Sequence, residues 1–158
     1  MKITAQEEYG LRCLLQLARA DEEKGLTVRE ISLREGLSPA YVEKLLRLLG
    51  KAGFIHSVRG VKGGYLLSKK PQEISLGAVV RALGKVPTTR EICDRFTGNR
   101  TLCIHIDNCC IRAAWETLTA AIHTLLDRTY LTDLAGGEAK VQRALTHQGL
   151  PVLTRFSK

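Results

Sequence analysis

The chain has 158 residues, with 24 Lys plus Arg against 16 Asp plus Glu, a formal net charge of +8 and a pI near 9.5. At 44% hydrophobic residues it can bury a core, which excludes wholesale disorder, and with only 5% aromatics that core is expected to be helices packed through Leu, Ala and Val. No apolar run approaches the ~20 residues of a membrane span, and Met1-Lys2-Ile3-Thr4 lacks the apolar core of a signal peptide, so a cytoplasmic protein is expected.

Thr4 followed by Glu7 has capping-box spacing, and Tyr9, Leu14, Leu17 and Ala18 recur at helical intervals, predicting a helix from about Ala5 to Ala20. A second capping box, Thr27 with Glu30, opens a short helix that stops at Glu35-Gly36. Ser38-Pro39, an N-cap followed by proline where its missing N–H costs nothing, starts a third helix that ends near Ala52-Gly53. Two short helices joined by a tight glycine-containing turn, the second strongly basic, form a helix-turn-helix pattern. In the third helix Val42, Leu45, Leu46 and Leu49 make the expected buried face, leaving Ala40, Glu43, Lys44, Arg47 and Lys51 on the opposite stripe.

Phe54 to Val58 and Tyr65 to Ser68 read as strands around a basic, glycine-rich tip that carries Arg59, Gly60, Lys62, Gly63 and Gly64, and a hairpin after a helix-turn-helix makes a winged helix. Taken singly, these glycines need no more than turn geometry to account for them. Ile74 to Leu83 is a further amphipathic helix with Ser75 as its cap, and Pro87 marks a break. From Thr88 to Asn108 no periodicity persists, so a loop is expected. A long helix returns from Cys110 to about Leu131, and Ile111, Trp115, Leu118, Ile122 and Leu125 follow a heptad seam that suits pairing with a second copy. After Gly136-Gly137 the apolar Val141, Leu145, Leu150 and Phe156 are scattered, and the tail is expected to be weakly ordered.

Between Ser38 and Lys70 the basic residues are Lys44, Arg47, Lys51, Arg59, Lys62, Lys69 and Lys70, with Glu43 the lone acid. That concentration of charge on a helix-turn-helix and wing points to double-stranded DNA as the partner. Ser38, Ala40, Tyr41, Glu43 and Lys44 stand nearest the bases, while Arg47, Lys51, Arg59 and Lys62 are placed for phosphates or the minor groove.

Five cysteines, Cys13, Cys93, Cys103, Cys109 and Cys110, in a chain without an export signal point to metal binding or redox chemistry rather than disulfides. Cys13 falls on the apolar face of the first helix and is assigned to the core. The others fall within residues 93–110, without the paired Cys-x-x-Cys knuckles usual in structural zinc sites. Wider gaps on a loop suit an iron-sulfur cluster, yet spacing alone leaves zinc and a cluster close to even.

The combined pattern resembles the Rrf2 (IscR/NsrR/RirA-type) family of bacterial winged-helix transcription regulators over residues 1 to about 134. Its carriers are Met1-Lys2-Ile3-Thr4 with Tyr9-Gly10-Leu11-Arg12, Leu37-Ser38 with Tyr41-Val42-Glu43, and Ser57-Val58-Arg59-Gly60 with Gly63-Gly64-Tyr65-Leu66-Leu67. Three spaced cysteines ahead of a Trp115-bearing helix and Leu131-Thr132-Asp133-Leu134 complete it. The resemblance implies a homodimeric regulator, not an enzyme, whose DNA binding is controlled by an iron-sulfur cluster of the 2Fe-2S or 4Fe-4S type sensing iron, redox state or nitric oxide.

Cys93, Cys103 and Cys109 match the family's three cysteine ligands. Where some relatives carry a histidine, this chain has Arg112, and arginine does not normally ligate iron. The resemblance then implies Glu8 of the partner subunit as fourth ligand, with His105, Asp107 and Cys110 as local alternatives. The expected organisation is mainly α: a winged helix-turn-helix with a two-stranded β wing over 1–72, a connecting helix and linker over 73–90, a cluster-binding loop over 91–110, a dimerisation helix over 111–134 and the tail over 135–158. The competing readings are a cluster-free regulator of the same fold answering to thiol oxidation or a partner protein and, further off, an iron-sulfur carrier or oxidoreductase. No nucleophile-base pair, phosphate loop or cofactor fingerprint supports an enzyme.

Overall fold

The computed structural model describes residues 3–20, 24–60, 63–84 and 89–147. The first three helices are α1 (Ala5–Arg19), α2 (Val28–Glu35) and α3 (Pro39–Lys51). Thr4 and Thr27 close both expected capping boxes: each side chain accepts from the third helical N–H while Glu7 or Glu30 accepts from the cap's own N–H. Gly36 ends α2 at φ 66°, a left-handed conformation open to glycine, and Ser38 caps α3 two residues later. Strands β1 (Ile55–Val58) and β2 (Gly64–Leu67) pair antiparallel with Ile55 opposite Leu67, and a two-way bridge of Leu26 with Tyr65 ties this wing to the segment before α2.

A 3-10 turn (Pro71–Glu73) leads into α4 (Leu76–Leu83), capped by the Ser75 hydroxyl as expected. Cys13, Leu14, Ile31, Val42, Leu45, Leu46, Leu49 and Val79 are fully buried in a core that joins α1, α2, α3 and α4. Burial of about 25 cal/mol per Å² of apolar surface makes this the main stabilising term. Because Ile74, Val79 and Leu83 all enter that core, α4 is part of the winged-helix head as well as its connection to the C-terminal helices.

The region expected as a loop before residue 108 contains a short helix, α5 (Thr89–Arg95). Seven residues span too few turns for an apolar period to show. The long helix α6 runs Cys110–Arg128 and stops short of Leu131 because Thr129 and Tyr130 turn extended. Tyr130 then bridges to Ser75, and the Leu131 N–H donates to the Ile74 carbonyl at 2.9 Å. Short α7 (Leu131–Leu134) comes next, with Leu131 buried in the head's core.

The tail is more ordered than expected where it is described: α8 (Glu138–His147) packs against α7, with Val141 and Leu145 half-buried four residues apart. Leu150, Phe156 and Pro87 lie outside the described residues. No described helix is long and apolar enough to cross a membrane.

Candidate nucleic-acid interface and cysteine loop

Helix α3 separates its two faces as its sequence demands. Val42, Leu45, Leu46 and Leu49 are fully buried, while Ser38, Ala40, Glu43, Lys44, Arg47 and Lys51 are exposed. Ser38 also serves as cap, its Oγ accepting the Tyr41 N–H at 3.4 Å. Arg59 is exposed just past β1, and Lys69 and Lys70 are exposed beyond β2. Lys62, expected beside Arg59 at the wing tip, lies outside the described residues.

Tyr41 departs from the simple stripe. Its half-buried ring meets Tyr9 of α1 edge-on, with centroids 6.0 Å apart and planes at 85°, so part of it is packing rather than free reading surface. Periodicity missed this because it places Tyr41 on α3 but is silent about what α1 brings against it. Arg29, exposed in the first turn of α2, is a further cation on the helix-turn-helix that the sequence pattern left unassigned.

All five cysteines are free thiols. Cys13 is buried, and burial first, with the nearby Glu35 carboxylate adding to it, pushes its thiol up to about 11. Cys93 sits in α5 and is half-buried, as are Cys103 in the loop after it and Cys109 at the N-cap of α6. The Cys109 Sγ accepts the Arg112 N–H at 3.3 Å, taking the place of a capping oxygen at the helix end that favours negative charge. The Arg112 guanidinium donates to the Ile106 carbonyl at 2.7 Å, so the arginine that stands where a histidine ligand was sought ties the loop to α6.

His105, Asp107 and Cys110 are exposed around this loop, and Glu8 is exposed on α1. Glu7, by contrast, is buried and spent in the capping box. Among the described residues no group of three or more His, Cys, Asp or Glu side chains is placed to hold a single metal ion. As donors Cys93, Cys103 and Cys109 fit an iron-sulfur cluster in kind, being free sulfurs outside the core on α5, the loop after it and the start of α6, and α5 packs against α6.

The seam of α6 faces outward from Ile111 to Ile122, whereas Leu125, expected in the same row, is half-buried. Ile111, Trp115, Leu118 and Ile122 are 64, 51, 54 and 36% exposed, far beyond what isolated surface apolar residues account for. On its other side α6 is clasped to α4: the Arg81 guanidinium donates to both oxygens of Asp127, at 2.6 and 3.2 Å, and Gly77 lies so close to the Asp127 carboxylate that a Cβ there would overlap it.

Residues 3–137 match the model of the Rrf2 family, described as an iron-dependent transcriptional regulator. The chain is 37% identical over 134 residues to protein rrf2 of Nitratidesulfovibrio vulgaris, covering 85% of this chain and 87% of that one. It is similar in structure to the IscR of T. potens, with a TM-score of 0.69 and 28% identity over 91% of this chain and 90% of the other. A second similar structure is CymR, the global cysteine regulator of B. subtilis, with a TM-score of 0.67 and 29% identity over 85% of this chain and 96% of the other. With the winged-helix head, the outward basic stripe of α3 and these likenesses in agreement, the chain belongs to the Rrf2 family of transcriptional regulators.

Proposed function

We propose that the protein is a homodimeric, sequence-specific DNA-binding regulator whose operator binding is controlled by an iron-sulfur cluster on the loop before α6. The observation that carries the DNA reading is the exposed stripe of Ala40, Glu43, Lys44, Arg47 and Lys51 above a fully buried apolar face. A helix so presented can enter a major groove by its N-terminal end, with Glu43 and Lys44 toward base edges and Arg47, Lys51 and Arg59 toward phosphates.

Cys93, Cys103 and Cys109 would hold the cluster, with Glu8 of the partner subunit, His105, Asp107 or Cys110 completing it. Once bound, the cluster supplies a centre that responds to iron supply, oxidation or nitric oxide. The chain's own part is transmission. The Arg112 to Ile106 contact joins loop to α6, the Arg81–Asp127 clasp joins α6 to α4, and α4 shares the core of the head. A change in the loop therefore reaches the orientation of the two reading heads through packed elements.

The likeness to CymR, the global cysteine regulator, favours a second reading, in which the same fold works without a cluster and the loop thiols answer to oxidation or a partner protein. Anaerobic purification with an absorption spectrum and iron and sulfide analysis separates the two. The cluster reading expects visible absorption that disappears in Cys93→Ala, Cys103→Ala and Cys109→Ala and survives in Cys13→Ala. Wild-type protein that binds its operator with neither iron nor sulfide would establish the second reading.

A further inference from the structure

We infer that Tyr9, Arg12 and Glu35 form a cradle that positions the start of α3 for base reading, an inference that rests on α3 being the DNA-reading helix. Tyr9, Arg12 and Gln16 are spaced three and four apart, which aligns them along one face of α1. All three engage the helix-turn-helix. Arg12 Nε donates to Glu35 Oε2 at 2.5 Å, Arg12 Nη2 donates to the Glu35 carbonyl at 3.2 Å, and Gln16 Nε2 donates to Glu35 Oε1 at 2.5 Å. The same guanidinium lies 5.3 Å from the Tyr9 ring centroid, and that ring meets Tyr41 edge-on.

Glu35 is the telling member. It is the last residue of α2, where the helix dipole disfavours a negative charge, and its side chain is only 6% exposed. A buried carboxylate in that place is a poor route to stability, since its desolvation offsets what its partner returns. Its effect is on geometry. Arg12 grips both the carboxylate and the terminal carbonyl of α2, only Gly36 and Leu37 separate Glu35 from the Ser38 cap, and Tyr41 in the first turn of α3 rests against Tyr9. The end of α2 and the beginning of α3 are thus both referenced to one face of α1. Ala40, Glu43 and Lys44 stand exposed beside Tyr41, so a small rotation of that turn would carry them off the base edges, where about half an ångström matters. Tyr9, Arg12 and Glu35 touch no base in this arrangement and act as positioning residues through Tyr41 and the turn.

The test uses the full chain and a duplex selected from a random pool by the wild-type protein, with an unselected duplex beside it at two salt concentrations. Tyr9→Leu and Arg12→Gln should each weaken binding to the selected duplex about tenfold, the size of one mismatched base pair, and leave the unselected duplex and the salt dependence within about twofold. Tyr9→Phe keeps the ring and should match the wild type. Should Tyr9→Leu fail to fold, Arg12→Lys carries the test, because it keeps the charge and loses the two-pronged grip, and selectivity should fall as in Arg12→Gln. Unchanged selectivity in the folded variants overturns the cradle, as does an equal loss on both duplexes. Wild-type protein that binds neither duplex in a salt-dependent way overturns the DNA reading of α3 itself.

Discussion

Single residues divide here into those held by packing and those left to do chemistry, and the cysteines display the division most clearly. Cys13 is fully buried and its thiol is raised to about 11, whereas Cys93, Cys103, Cys109 and Cys110 reach the surface to differing extents. Alkylation of the folded, cluster-free protein near neutral pH should therefore modify the loop thiols and spare Cys13 until the chain is unfolded, as peptide mass mapping would report. Fast labelling of Cys13 in folded protein would contradict its place in the core. On α3 the contrast is between Glu43 and its cationic neighbours. Arg47→Ala or Lys51→Ala should weaken binding to all sequences and lower the salt slope by about one. Glu43→Ala removes a carboxylate that can accept from cytosine N4 but repels phosphate, so it should relax operator discrimination while non-specific binding holds or improves. Electrophoretic titration at two salt concentrations reads both effects, and equal binding by all variants would mean this face does not touch DNA.

Among the elements, α6 packs against α4, and α4 shares the core of the head, which puts this pair on the path proposed for a signal from the loop. Their ion pair is half-exposed, and the Arg81 guanidinium, by hydrogen bonding, holds the Asp127 carboxyl below its ordinary range. A carboxyl depressed in the folded state adds stability that is present above the ordinary carboxylate range and is lost as pH falls through the depressed value. Solvent screening limits the pair to ~0–1 kcal/mol. Asp127→Asn should therefore lower stability slightly at neutral pH and cease to differ from wild type once the carboxyl is protonated, as denaturant unfolding across pH would measure. A larger effect on DNA binding than on unfolding would mark the clasp as part of the transmission path. Gly77 supports the same reading, because a side chain there would collide with the Asp127 carboxylate and push it out of the clasp.

At the scale of the whole molecule, α6 presents an exposed apolar row, the surface through which the proposed dimer would form. Ile111, Trp115, Leu118 and Ile122 along that row suit a second copy, and two-fold symmetric operators suit a dimer. Replacing Leu118 and Ile122 with Glu would place unpaired charge in that contact, and light scattering should then report a monomer where the wild type is a dimer. Wild-type protein that is monomeric at micromolar concentration would exclude the seam as a dimer contact. The double variant should also lose cooperative binding to two half-sites while keeping weak binding to one, since each head retains its own core.

Whatever neighbouring residues decide among themselves was readable without coordinates. The two capping boxes, the Ser38-Pro39 start, the Ser75 cap and the alternation of buried and exposed positions along α3 all rest on partners within a turn or two, and each stands where the sequence placed it. The short α5 and the tail helix α8 escaped because α5 is too brief to show a period and α8 draws order from α7. Other features depend on chain path rather than on local pattern. The grip of Arg12 on Glu35 crosses 23 residues, the edge contact of Tyr9 with Tyr41 joins two helices, and the clasp of Arg81 on Asp127 spans 46. The cysteines belong to this second class. Their spacing names three thiols of the right kind, but how those thiols face one another depends on how α5, the loop and the start of α6 lie in space. Local hydrogen bonding and periodicity are written in the order of residues, whereas the approach of distant side chains is decided only when the core closes and fixes which faces meet.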